Sequence, residues 1–241
     1  ALILVSCSQK PVIEITLSPE IIDQAQEGRL VLMFSLNQDQ EPRFQIQDGP
    51  NTQIAFGMDV SDWTPGTPLV FDLESFGYPI KSIADLPKGT YQVQALLNRY
   101  ETYHLADGRV LQLPPDQGEG QQWNLKPGNV YNTPVSVDWT GSGRYSLTLD
   151  QIIPPIEPPK DTKYIKHIKM RSELLSKFWG RDVYLGANVL LPEGFDEHPD
   201  ARYPLMIYHG HFPFTFGGFK ETPPDPNMKP EYSERFGIDG Y

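Results

Sequence analysis

Cysteine is almost absent from this 241-residue chain, which has only Cys7. A single thiol forms no internal disulfide and no cysteine-rich metal site, so packing must hold the fold together. Long hydrophobic runs are missing as well. No stretch approaches the roughly 20 apolar residues that a membrane-spanning helix needs. Positive charge is scarce, because 20 Lys and Arg face 31 Asp and Glu and leave a formal charge of −11. That balance repels phosphate backbones and anionic lipid surfaces, and it argues against nucleic acid as a partner. Proline and glycine are plentiful at 24 and 20 residues. They are scattered through hydrophobic and aromatic sequence instead of gathered in low-complexity tracts, which favours a loop-rich β protein over disorder. The length suits one large domain or two ordinary ones.

Cys7 closes the apolar run Ala1-Leu2-Ile3-Leu4-Val5-Ser6 and is followed at once by the polar Ser8-Gln9-Lys10. The Leu4-Val5-Ser6-Cys7 segment resembles the lipobox of a bacterial lipoprotein, in which the cysteine becomes the lipidated first residue after signal cleavage. The resemblance implies that residues 1–9 hold the end of a signal peptide and the start of the mature chain. With it come export to the periplasm or cell surface and membrane attachment through a lipid on Cys7. It also places the start of the signal peptide ahead of Ala1. The competing reading is a short buried strand with an inert thiol.

From Gly28 the apolar residues alternate with period two, Leu30, Leu32 and Phe34 on one face and Arg29, Val31 and Ser35 on the other. This is the pattern of a half-buried strand. Tyr91 to Ala95 and Tyr145 to Leu149 alternate in the same way, and the turn signals Pro65-Gly66, Pro87-Lys88-Gly89, Asp107-Gly108 and Pro127-Gly128 lie between such runs. The spacing predicts an antiparallel β-sandwich over residues 10–152 with no amphipathic helix. The prolines of Pro154-Pro155-Ile156-Glu157-Pro158-Pro159 cannot donate to a ladder, which marks 153–163 as an interdomain linker.

Past the linker, residues Arg171 to Ser176, a Trp179-Gly180-Arg181 turn and Val183 to Leu191 read as a hairpin. The Leu191-Pro192-Glu193-Gly194-Phe195-Asp196 loop follows. Then Leu205-Met206-Ile207-Tyr208 forms a short continuous apolar run, of the kind that a strand buried on both faces of a parallel sheet requires. It ends at His209-Gly210-His211-Phe212.

The series SELLSKFWGRDVYLGANVLLPEGFDEHPDARYPLMIYHG resembles the opening of the α/β-hydrolase esterases, the family of esterase D and the bacterial feruloyl-esterase-like enzymes. The similarity covers roughly residues 165 to 212. It implies that 164–241 is the truncated N-terminal part of an α/β-hydrolase domain, so the whole chain is mostly β, a sandwich followed by the first strands of that domain. The implied reaction is serine acyl transfer on an ester of unknown type, with no cofactor. Gly210 would let the backbone approach closely, and the N–H of His211 or Phe212 would stabilise the oxyanion.

The family's nucleophile sits in a G-x-S-x-G elbow, and the chain has none. Leu73-Glu74-Ser75-Phe76-Gly77 comes nearest, but leucine replaces the first glycine and Tyr78-Pro79 stands where a helix should begin. The resemblance therefore puts the catalytic Ser, Asp and His beyond Tyr241 and expects these 241 residues to be inactive by themselves.

Two other classes compete. His209 and His211, two apart, suit a metal pair on a strand, which would make a metal-dependent hydrolase. The sandwich aromatics Trp63, Tyr78, Tyr100, Tyr103, Trp123 and Trp139 would instead serve a non-catalytic carbohydrate- or protein-binding role if exposed, although rings in sandwiches mostly belong to the core. The carboxylate pairs Asp59/Asp62 and Glu20/Asp23 have no ligand-loop pattern and read as solvated. His104, His167 and His198 carry no role that sequence assigns.

Overall fold

The computed structural model describes residues 10–49, 51–210, 216, 227, 229, 231–233 and 238–240. Strand dominates it and helix is minor, so the mostly-β class expected from the alternation holds. The chain divides into two compact units, one of Ala1–Tyr103 with Val110–Ile156 and the other of His104–Arg109 with Glu157–Tyr241.

In the first unit, two sheets are built from β1 (Val12–Leu17), β2 (Gln26–Ser35), β3 (Ile54–Trp63), β4 (Leu69–Val70), β5 (Gly77–Tyr78), β6 (Gly89–Arg99), β9 (Val130–Tyr131), β10 (Val135–Trp139), β11 (Arg144–Leu149) and β12 (Gln151–Ile152). Between β6 and β9 lie β7 (Glu101–His104) and β8 (Val110–Leu113), which among the described strands pair only with each other. The larger sheet runs β12-β9-β6-β2-β3-β5, with β10 also on β6, and the smaller runs β11-β1-β4. The antiparallel expectation needs one correction, because β1 and β11 pair in parallel from Val12↔Arg144 to Leu17↔Leu149. Strands so far apart in sequence are free to meet in either sense, and alternation alone does not encode that sense.

The period-two pattern becomes the core directly. Ile13, Ile15 and Leu17 of β1, Leu30, Leu32 and Phe34 of β2, Tyr91, Val93, Ala95 and Leu97 of β6, and Leu147 and Leu149 of β11 all point between the sheets. Each of the larger of these side chains contributes about 1.5–3 kcal/mol by leaving water. Phe34 stands edge-on to Phe56, Tyr91 and Trp139, with ring centroids at 6.1, 5.8 and 5.6 Å.

The outer face of the larger sheet is also partly covered. Met33, Leu96 and Ile153 form a second cluster with Trp123 and Tyr131. Polar groups buried near it are all paired: Gln94 accepts the Arg43 backbone N–H at 3.0 Å and donates to Glu41 and to the Asn132 carbonyl. The Arg43 guanidinium lies over the Phe44 and Tyr131 rings at 4.4 and 4.1 Å. Lys126 is buried and donates to the Arg99 carbonyl at 3.0 Å and to Asn129 Oδ1 at 3.1 Å. Desolvation pushes its pKa down, opposed by Glu119. Ile153 exchanges backbone hydrogen bonds with Gly128 and Asn129, which ties the first residue of the expected linker to the sandwich.

The second unit contains one longer hairpin, β13 (Ile165–Arg171) against β14 (Tyr184–Leu190), in register from Ile165↔Leu190 to Arg171↔Tyr184. The predicted hairpin is present but its first strand lies earlier than expected. Residues 173–179, read from sequence as strand and turn, form the helix α1 (Glu173–Trp179). The local chemistry explains this. Ser172 caps the helix by accepting the Leu175 N–H at 3.3 Å, and Gly180 ends it in the left-handed region at φ 67°, a serine start and glycine stop that favour helix over strand. Gly180 is also sterically required, since a Cβ there would lie 2.5 Å from the His104 carbonyl oxygen. The short pair β15 (Glu231–Ser233) and β16 (Ile238–Gly240) completes the described strands.

Candidate functional site

The residues singled out for catalysis follow β14. Leu191 donates its N–H to the Tyr164 carbonyl at 2.7 Å, which ties the start of the Leu191–Asp196 loop to the segment leading into β13. Gly194 takes φ 72°, and its carbonyl accepts the N–H groups of Glu197 and His198, both at 3.1 Å. Phe195 donates to the Pro192 carbonyl at 3.3 Å, and its ring stacks at a tilt on Tyr203, 5.6 Å between centroids. The glycine is thus used for a tight reversal that an L side chain would strain. A cavity of about 30 Å³ lies between this loop and Lys163-Tyr164, room for about one water.

Beyond the loop, the expected buried parallel strand does not form. Leu205, Met206, Ile207 and Tyr208 carry no sheet ladder and are 79, 74, 79 and 65 % exposed. The physical reason is that a strand buried on both faces needs a neighbour on each side, and no described strand pairs with this segment. His209 and Gly210 continue it, irregular and exposed. His211 and Phe212, the expected oxyanion donors, and Cys7, the expected lipid attachment point, lie outside the described residues. The metal pair of His209 and His211 therefore has only one described member. Among the described residues no cluster of three or more His, Cys, Asp or Glu is placed to hold a metal ion.

The sandwich aromatics sort mainly to the interior. Trp63 and Trp139 are core, with indole N–H groups donating to the Thr67 and Leu86 carbonyls at 3.0 and 3.2 Å. Tyr103 is buried, Trp123 packs on the outer cluster, and Tyr78 is about half exposed. No flat row of exposed rings is assembled from these residues. Asp59, read as solvated, is exposed and also forms a surface ion pair with Arg29 at 2.8 Å.

One pair went unassigned in the sequence. Asp161 accepts the backbone N–H of His167 at 2.8 Å and lies 3.1 Å from its Nδ1. These hydrogen bonds, the backbone one first, hold the Asp161 carboxyl below its usual range. A carboxylate beside an imidazole orients that ring, yet among the described residues no hydroxyl or thiol is hydrogen-bonded to His167 to complete a nucleophilic set. The signal in the sequence is only an Asp six residues ahead of a His, which carries no periodicity that would single it out.

Comparison of the chain with family models, with curated proteins and with solved structures finds no match in any of the three.

Proposed function

We propose that this chain is the leading part of an exported serine esterase, in which a β-sandwich precedes an acyl-transfer domain. The observation that carries the reading is the order within the second unit: a capped hairpin β13-α1-β14, then the tight Leu191–Asp196 loop, then the apolar Tyr203–Gly210 segment. In this reading the backbone N–H of His211 or Phe212 stabilises the tetrahedral oxyanion, and Gly210 keeps the approach open. The nucleophile, its base and the acid that orients the base come from sequence after Tyr241, and the substrate is an ester whose acyl and alcohol parts are set there. No cofactor takes part. A lipid on Cys7 holds the protein at the periplasmic or cell-surface side of a membrane.

The test is turnover of p-nitrophenyl acetate by the product of the reading frame continued past Tyr241, together with labelling of that product by a fluorophosphonate probe. The expected result is hydrolysis and labelling by the longer product, with none above a boiled control for the 241 residues alone. In the longer product, Gly210→Leu should lower kcat by roughly 10²-fold or more. Absence of both turnover and labelling sinks the reading, and turnover abolished by a chelator replaces it with the metal hydrolase.

A further inference from the structure

The loop between β8 and β9 buries an amine against a carboxamide. Pro127 and Gly128, the latter at φ 81°, form a turn in which the Asn129 N–H donates to the Lys126 carbonyl at 3.2 Å. The turn sets the two side chains beside each other, and both are inside: Lys126 is 2 % exposed and Asn129 0 %. Lys126 Nζ stands 3.1 Å from Asn129 Oδ1 and donates also to the Arg99 carbonyl at 3.0 Å. Both of these acceptors are neutral. An ammonium taken out of water toward neutral oxygens is costly, and burial lowers the Lys126 pKa more than Glu119 and Glu101 raise it. A desolvated amine that gives up its charge regains the lone pair that makes it a nucleophile.

The carboxamide is arranged to receive that lone pair. Asn129 Oδ1 accepts the Arg99 backbone N–H at 2.9 Å as well, so a fixed donor already sits where negative charge would gather on this oxygen. Asn129 Nδ2 donates to the Trp123 carbonyl at 2.7 Å and to Asn98 Oδ1 at 3.1 Å, which fixes the plane of the amide. A nitrogen 3.1 Å from the carboxamide oxygen reaches the carbon by rotation about the last torsions of the lysine stem, and such proximity removes much of the entropic part of a barrier. Glu119 is itself buried and is the carboxylate that acts most on Lys126. Joining the two side chains would exchange a buried titratable amine for a neutral secondary amide that keeps the Arg99 donor and one N–H.

We propose that Lys126 and Asn129 join through an isopeptide bond. The neutral Lys126 amine attacks Asn129 Cγ, and the π electrons of the carbonyl move onto Oδ1, which faces the Arg99 N–H. Glu119 takes the proton that the attacking nitrogen sheds and passes it to Nδ2. The Cγ–Nδ2 bond then breaks, the carbonyl re-forms and ammonia leaves. No oxidant, metal or cofactor takes part, and the product is the same chain lighter by one ammonia. The site lies wholly in the sandwich and uses no residue of the acyl-transfer reading, so either stands if the other fails.

The test is the mass of the purified 241-residue chain, read intact in denaturant and again after trypsin digestion. Lys126 precedes Pro127, a bond that trypsin leaves uncut, so both partners stay in the peptide from Val110 to Arg144. The intact chain and this peptide should each be one ammonia lighter than the sequence requires, and the peptide should give no backbone fragments between Lys126 and Asn129. Lys126→Met keeps an apolar stem without the amine and should restore the full sequence mass. Glu119→Gln should leave most of the chain at that mass too. Full sequence mass in the wild type overturns the proposal whether or not either variant folds. So does a loss that persists in Lys126→Met, which would mark a succinimide at Asn129, or one that remains complete in Glu119→Gln.

Discussion

Asp161 Oδ1 accepts the backbone N–H of His167 at 2.8 Å and so clasps the approach to β13 onto its third residue. The carboxyl is held below its ordinary value of 3.8 by this bond and by the His167 side chain. A depressed folded-state pKa contributes stability that is fully present above the unfolded value and is lost as pH falls through the folded one. The His167 amide should therefore keep its protection, corrected for intrinsic exchange rates, at neutral pH and lose it only below the ordinary Asp range. Asp161→Ala should remove that pH dependence while leaving the melting of the sandwich unchanged. An amide equally protected in both proteins at neutral pH would mean that the clasp is not formed.

Limited trypsin digestion tests the boundary between the units. Ile153 is held by hydrogen bonds to Gly128 and Asn129, and the Tyr164 carbonyl by Leu191, but Lys160 lies in an exposed stretch without regular structure and Lys163 sits at its end. Local opening there exposes few backbone hydrogen bonds. The first cuts should follow Lys160 and Lys163 and leave a compact fragment ending near residue 160. Earlier cleavage after Lys88 or Arg99 would argue against a sandwich that is stable by itself.

Gly77 offers a packing test. It stands in the Leu73–Gly77 stretch that comes nearest to a nucleophile elbow, yet the structure gives it another job: a Cβ there would collide with the Phe56 ring and with the Ile80 carbonyl oxygen. One colliding atom is backbone and the other belongs to a buried ring, so neither yields cheaply. Gly77→Ala should lower the stability of the sandwich by about 1–3 kcal/mol, read as an earlier thermal transition. An unchanged transition would show that β5 is loose against β3.

These outcomes also mark what the sequence made legible. Alternation from Leu30 to Phe34 and from Tyr145 to Leu149 placed the inward faces correctly, because a half-buried strand imposes period two on its own residues. The same local signal is silent on which strands meet, and the parallel pairing of β1 with β11 went unread. Helix α1 was legible in Ser172 and Gly180 but was outweighed by the apolar residues between them. For the proposed acyl-transfer site, Gly210 alone of its three residues is described, and its irregular, exposed backbone differs from the strand end that the motif implied.

The segment Leu205–Tyr208 sets the last expectation. Its four side chains are each at least 65 % exposed and it carries no sheet ladder. Exposed apolar sequence of this kind recruits other chains through the faces it leaves wet and through any ladder it can join. Four consecutive apolar or aromatic residues also come close to the short uncharged windows that nucleate β-association, and one charge within such a window is enough to disrupt it. The 241-residue chain should accordingly self-associate as its concentration rises, seen as a growing weight-average mass in sedimentation velocity. Ile207→Lys should shift that growth to higher concentration. The sandwich should be indifferent, since its core draws on none of these residues, so both proteins should melt at the same temperature. Hydrogen exchange should fit the same picture, with amides of Leu30 to Phe34 strongly protected by the ladders to β3 and β6 and those of Leu205 to Ile207 exchanging early in dilute solution. Association that is unchanged by Ile207→Lys would move the cause elsewhere, first to Ile168, Met170 and Leu185 on the hairpin, which are also exposed.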